Sequence, residues 1–186
     1  MQATMSTDQN KTIFQRALPD FELLPEPVRD LHSIQGVSVY RGKAVSAGPT
    51  GLSGYVGAWL FGFPGAAKEI PVSVTITADA QSETWQRRFA NKTFKSHLSL
   101  DRNSFVCERF GPIKMQLGLY QSDSKLYFPV TKGWLLGVVP LPAFLLPRSS
   151  AFETQDDQGR FVFDVLVSSP FGARIAHYSG WLQRSG

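Results

Sequence analysis

The stretch PVSVTITADAQSETWQRRFANKTFKSHLSL, residues 71–100, decides the fold. Val72, Val74, Ile76 and Ala78 alternate with Ser73, Thr75 and Thr77, the period of a strand that buries one face. Trp85, Arg87 and Phe89 share a face of the next strand, and Phe94, Ser96, Leu98 and Leu100 share one on the third. Ala90, Asn91 and Lys92 supply the turn between them. Strands joined by turns this short pair antiparallel.

The same period extends outward. Asp101-Arg102-Asn103 turns into residues 105–109, and Gly111-Pro112 turns into a strand with Ile113, Met115, Leu117 and Leu119 on one face. Ser122-Asp123-Ser124 leads to Leu126, Phe128 and Val130, and Phe161, Phe163, Val165 and Val167 alternate further on. Residues 173–182 form the last strand, and residues 36–46 an early one with Val37, Val39 and Val45 on one face. About nine or ten strands result, too many for a flat sheet.

Leu52, Tyr55, Val56, Trp59, Leu60 and Phe63 fall at helical spacing, opposite Ser53, Gly54, Gly57, Ala58 and Gly62. A helix without a charged face packs against something apolar. The expected fold is therefore mainly β with minor helices (α+β): a strongly curved antiparallel sheet or β-barrel-like fold, with this apolar helix packed on or in it. Residues 12–34 read as one or two short helices broken at Pro19, Pro25 and Pro27, with Val28, Leu31 and His32 on the apolar edge of the second. Residues 1–11 read as a disordered lead and 12–186 as a single domain.

The 186 residues are 42% apolar and 18% charged, enough for a core without disulfide or metal. Cys107 is the only cysteine, so neither an intrachain disulfide nor a cysteine zinc site forms, and a buried inert thiol is expected. His32, His97 and His177 are too scattered for a local metal motif and read as structural. No cofactor or metal is expected. The polar N-terminus lacks the apolar core of a signal peptide, which makes the cytoplasm the expected location.

Residues 44–67 and 133–147 carry no charge but are broken by glycines and prolines. The apolar run 52–63 spans only about 18 Å as a helix, against roughly 30 Å of hydrocarbon. Neither segment crosses a membrane, and peripheral contact stays open.

The net charge of +4 is uneven, with an acidic excess in residues 1–35 and a basic one in 36–135. Its densest basic stretch is Arg87, Arg88, Lys92 and Lys95, read as a solvated hairpin. No nucleic-acid motif accompanies it, so no nucleic-acid partner is expected.

Gly51-Leu52-Ser53-Gly54 falls short of a nucleophile elbow. Arg87 alternates in step with Trp85 and turns inward with it, so it needs a partner, and Glu108 two strands on is placed to provide one. Arg87 either receives an anionic headgroup or stands in a structural pair, with Arg109 next to Glu108 in the chain. Trp85, Phe89, Phe94, Phe128, Phe161 and Phe163 either line a cavity or pack on one another. Asp164 faces away from Phe163 and Val165, toward surface pairing.

The order of motifs resembles the bacterial "domain of unknown function 4166" family. The resemblance rests on Leu24-Pro25 with Val28-Arg29 and Leu31-His32, then Arg41-Gly42, Gly62-Phe63-Pro64 and Pro71-Val72-x-Val74. It continues through Glu83-x-Trp85-x-Arg87-x-Phe89, Phe94-x-Ser96 and Glu108-Arg109-Phe110-Gly111-Pro112. Trp134, Gly137, Pro140-Leu141-Pro142, Leu145 and Pro147 follow, then Gly159-x-Phe161-x-Phe163-Asp164-Val165 and Tyr178-x-Gly180-Trp181-Leu182. Residues 20–183 are covered.

The resemblance implies no agreed activity. It does imply that relatives occur alone or fused behind NAD-binding dehydrogenase-like domains. Gly48, Gly51, Gly54 and Gly57 do not have the dinucleotide-binding spacing, so any dehydrogenase partner is a separate chain. Three readings follow: a non-enzymatic protein holding a lipid-like or other apolar ligand in a β cavity, an accessory module for an NAD-dependent oxidoreductase, or an enzyme with a site around Arg87, Glu108 and Arg109.

Overall fold

A computed structural model describes residues 11–185; apart from Lys11, the expected N-terminal lead lies outside them. Two short helices open the described chain: α1 (Ile13–Ala17) and α2 (Glu26–His32). Thr12 caps α1 in a capping box with Gln15, and Pro27 sits in the first turn of α2, where its missing N–H costs nothing. Val28, Leu31 and His32 are buried, as their spacing predicts.

Strand β1 (Gly36–Ala47) follows, then α3 (Gly51–Phe61), then β2 (Ala67–Ala78), β3 (Ser82–Phe89), β4 (Lys92–Leu100), β5 (Val106–Phe110) and β6 (Ile113–Leu117). After them come β7 (Tyr120–Ser122), β8 (Lys125–Tyr127), β9 (Val130–Leu135), β10 (Val139–Pro140), β11 (Arg148–Gln155), β12 (Phe161–Ser168) and β13 (Arg174–Arg184). The thirteen strands form one sheet in the order β10-β9-β6-β5-β4-β3-β2-β1-β13-β12-β11-β8-β7, and every pairing is antiparallel.

Thirteen strands replace the nine or ten expected: β7 and β10 are too short to show a period, Leu126 and Val130 fall on separate strands, and β11 carries no alternation of apolar and polar residues. The sheet is not closed into a barrel: β10 and β7 are its edges. It nevertheless curls until Met115 and Leu117 of one wing face the same cavity as Ala151 and Phe163 of the other. Residues 141–147 cross between the wings, tied by the Leu141 N–H donating to the Gly133 carbonyl at 2.8 Å.

The tightest coil lies between β1 and β13. A Cβ on Gly42 would stand 1.8 Å from the Trp181 carbonyl oxygen, and one on Gly180 would stand 2.2 Å from that of Lys43. No side chain fits at either position. The inward face of β1 is therefore made of Ser38, Tyr40, Ala44 and Ser46, and Val37 and Val45 point to solvent. The valine face that the sequence displays is the outer one.

The helix α3 packs on the sheet. It meets β13 through its small residues: a Cβ on Gly54 would lie 2.2 Å from the Arg174 carbonyl oxygen, and Gly57 lies against Ile175. Leu52, Tyr55, Val56, Trp59 and Leu60 are exposed, with Leu52 at 84% and Trp59 at 83%. No helix among the described residues is long and apolar enough to cross a membrane.

Gly180→Ala forces two backbones apart at the β1–β13 seam. It should lower unfolding free energy by about 3 kcal/mol, read as a shifted urea midpoint. An unchanged midpoint would show that the seam relaxes freely.

Candidate functional site

Because neighbouring strands run antiparallel, each end of the curled sheet collects one set of turns. At one end lie the β2–β3, β4–β5 and β11–β12 turns together with α1 and α2. These helices plug the cup with Ile13, Phe14, Val28 and Leu31, all fully buried or nearly so. The Thr12 hydroxyl donates to the His32 carbonyl at 2.7 Å, and Arg16 donates to the Ala80 carbonyl in the β2–β3 turn.

Above the plug the sheet encloses a cavity of about 130 Å³. That is close to the roughly 150 Å³ apolar cavity that admits benzene in an engineered protein. Its walls are mainly apolar: Val72, Val74, Phe89, Leu117, Phe161 and Val165 are among them. Phe61 and Phe63, at the end of α3, stand at the opposite end from the plug with Phe110. This end is open.

Two polar groups interrupt the apolar wall. The first is Arg87, whose Nη1 donates to Ser96 Oγ at 2.7 Å and whose Nη2 lies 3.3 Å from Glu108 Oε1. Its guanidinium sits 4.8 Å from the centre of the Trp85 ring and within 6 Å of the Phe94 and Phe110 rings. Glu108 thus occupies the place that an anionic headgroup would take.

The second group is on the floor. His32 Nε2 and Glu153 Oε2 are 2.5 Å apart, and the imidazole stacks on Trp85 and touches Phe14. His32 Nδ1 is buried with no hydrogen-bond partner among the described residues. Beneath it, Trp85 Nε1 donates to Glu83 Oε2 at 2.7 Å. Burial pushes the Glu83 carboxyl above its usual range, partly opposed by His32 and the Trp85 bond. Burial likewise raises the Tyr178 phenol to about 12, so this cavity-lining hydroxyl stays protonated at neutral pH.

Of the residues that the sequence singles out, Trp85, Arg87, Phe89, Glu108, Phe128, Phe161 and Phe163 line this cavity. Phe94 lies behind them, stacked on Phe89 and edge-on to Phe63. Arg109 does not belong to the site. It alternates to the outer face, where its Nε donates to the Gly111 carbonyl. Asp164 pairs with His177 at 3.1 Å on the outside of the sheet.

Sequence reasoning missed Glu153 and treated His32 as an isolated structural residue. No local signal joins two residues so far apart in the chain. Cys107 is buried, and burial raises its thiol pKa. No metal-binding cluster of His, Cys, Asp and Glu occurs among the described residues.

The open end has its own chemistry. Twelve of the seventeen exposed large apolar side chains among the described residues belong to its turns and to α3, including Leu136, Val138, Phe144 and Phe171. Leaving each one in water forfeits roughly 1.5–3 kcal/mol of burial, so a cluster of them marks a surface for contact. Leu136 and Gly137 turn β9 into β10 with φ of 54° and 77°, a conformation that suits Asn-Gly and strains leucine.

Exposed cations surround this rim on the same turns: Lys68, Arg88, Lys92, Arg109 and Arg148. Glu69 is the acid among them, and Lys43 holds it at 2.6 Å. The plug end carries Asp20, Glu22, Glu26, Asp30, Asp79, Asp101, Asp156 and Asp157, interspersed with Arg16, Arg29, Arg102 and Arg160, of which Arg29 pairs with Glu22 and Arg160 with Asp156.

Two substitutions test these placements. A carboxyl with a folded-state pKa above 4.5 contributes stability below that pH, and this is lost as pH rises and the unfolded chain ionises first. Glu83→Gln should therefore raise the urea midpoint at neutral pH and flatten its decline above pH 4.5; an unaltered pH profile would contradict a raised Glu83 pKa. Leu136→Asn should relieve the turn and add about 1 kcal/mol of stability, measured by thermal melting.

No curated protein matches the chain. The family described as Domain of unknown function (DUF4166) matches residues 24–182, from just before α2 into β13, and so includes α2 and the strands that wall the cavity but not α1. The chain belongs to the DUF4166 family.

Proposed function

We propose that the protein is a binding protein that holds an apolar, lipid-like molecule in the cup. The observation that carries this reading is the cavity itself: apolar-walled, plugged at one end by α1 and α2, not fully enclosed, and lined by aromatic rings from both wings. A side-chain core that merely packed would fill this space, because protein interiors leave few voids larger than a water molecule.

The polar groups inside restrict the ligand's polar end. Arg87 is matched by Glu108, and on the floor His32 is matched by Glu153. No cation there is left over for a free carboxylate. An alcohol, amine or amide, which donates hydrogen bonds to Glu153 or Glu108, fits better than a fatty acid. The volume accommodates a ring or the end of a chain, and the rest of a longer molecule would extend through the open end.

Organic extraction of the purified protein followed by mass spectrometry should yield a neutral apolar compound. A neutral fluorescent probe such as N-phenyl-1-naphthylamine should bind, and a long-chain alcohol should displace it better than the matching carboxylic acid. Ala151→Trp fills the cavity from β11 and should weaken probe binding at least about tenfold while leaving the circular dichroism unchanged. Undiminished binding in that variant would remove the cavity from consideration.

A further inference from the structure

We propose that the open end of the cup docks on an anionic lipid bilayer. The proposal deepens the ligand reading, on which its purpose rests, but its geometry stands on the rim alone.

Two features of the rim coincide. Trp59 and Leu52 on α3, Phe171 in the β12–β13 turn, and Leu136 and Phe144 on the opposite wing expose large apolar side chains at the same end. Aromatic and leucine side chains of this kind settle at the boundary between headgroups and acyl chains. Lys68, Arg88, Lys92 and Arg148 add positive charge around them, whereas at the plug end acidic and basic side chains are mixed. An apolar tip inside a cationic ring is complementary to anionic headgroups over hydrocarbon.

Charge also selects among occupants. A second copy meeting rim to rim would oppose two cationic rings. A nucleic acid would satisfy the cations but leave Leu52, Trp59 and Phe171 in water. Leu136 adds an independent sign. Its strained backbone would accept Asn or Gly more easily, yet the position carries an exposed apolar side chain.

The test is flotation of the full chain with vesicles of phosphatidylcholine, with and without phosphatidylglycerol. The protein should float with the phosphatidylglycerol vesicles and remain behind with pure phosphatidylcholine. Arg88→Glu with Lys92→Glu should weaken partitioning by about fivefold or more per cation. Trp59→Ser with Phe171→Ser should weaken it at least about tenfold; both side chains are exposed, so the melting temperature should not move. Brominated acyl chains should quench the fluorescence of the parent protein but not that of Trp59→Phe to the same extent.

Absence of binding to phosphatidylglycerol vesicles, or binding undiminished in the serine variant, overturns the proposal. So does a dimer in light scattering that Trp59→Ser dissociates, which would assign the rim to a second copy. Probe binding separates the two readings. Ala151→Trp should lose the probe and keep the vesicles, and the serine variant should lose the vesicles and keep the probe.

Discussion

The close approach of β1 and β13 is the constraint on which the rest depends. Gly42 and Gly180 face the concave side, and neither has room for a single carbon beyond the backbone. Inward Cβ atoms converge wherever a sheet coils, so the sharpest bend belongs where side chains are smallest. Ala44 and Ala176 continue this small-residue seam. Register shifts in the β1–β2 and β12–β13 pairings on either side of the seam increase the local twist. The two wings are thereby brought round to face each other. The cavity, its plugged floor and its open rim follow from that bend.

Closure is left incomplete for a related reason. The sheet ends at β10 on one wing and β7 on the other, and no ladder joins them. Gly133 on β9 lets the 141–147 segment lie close, with a Cβ there only 2.7 Å from Leu146. Prolines in that segment rule out a regular strand, so it covers the gap without completing the hydrogen bonding of a barrel. The exposed Phe144 and Leu145 are carried to the rim by this crossing.

Much of the fold is legible in the period of two between Val72 and Leu119, because a half-buried strand needs nothing else to declare its faces. That period also makes Trp85, Arg87 and Glu108 point inward, and it should have turned Arg109 outward, since adjacent residues of a strand cannot share a face. The spacing marks α3 as an apolar helix against the sheet but does not say which of its faces does the packing. What decided its orientation was the backbone approach that Gly54 and Gly57 permit, a contact no periodicity reveals. The floor was illegible for a different reason. His32 and Glu153 come together only after the whole sheet has curled, and α2 then packs onto β11.

The two ends of the cup also differ in how firmly they are held. The plug buries Ile13, Phe14, Val28 and Leu31 completely or nearly so, and ties the His32 carbonyl to Thr12 and its ring to Glu153. Displacing it would expose several large apolar side chains and uncover a buried polar pair. α3 buries only Gly54 and Ala58 of its own residues, and its contacts with β13 are made by small side chains. The free energy of local opening scales with the apolar surface an element buries, so α3 lies nearer the low end of that scale than α1 and α2 do. Local opening is therefore easier at the α3 end of the cavity, beside Phe61 and Phe63, than at the polar floor held by the plug.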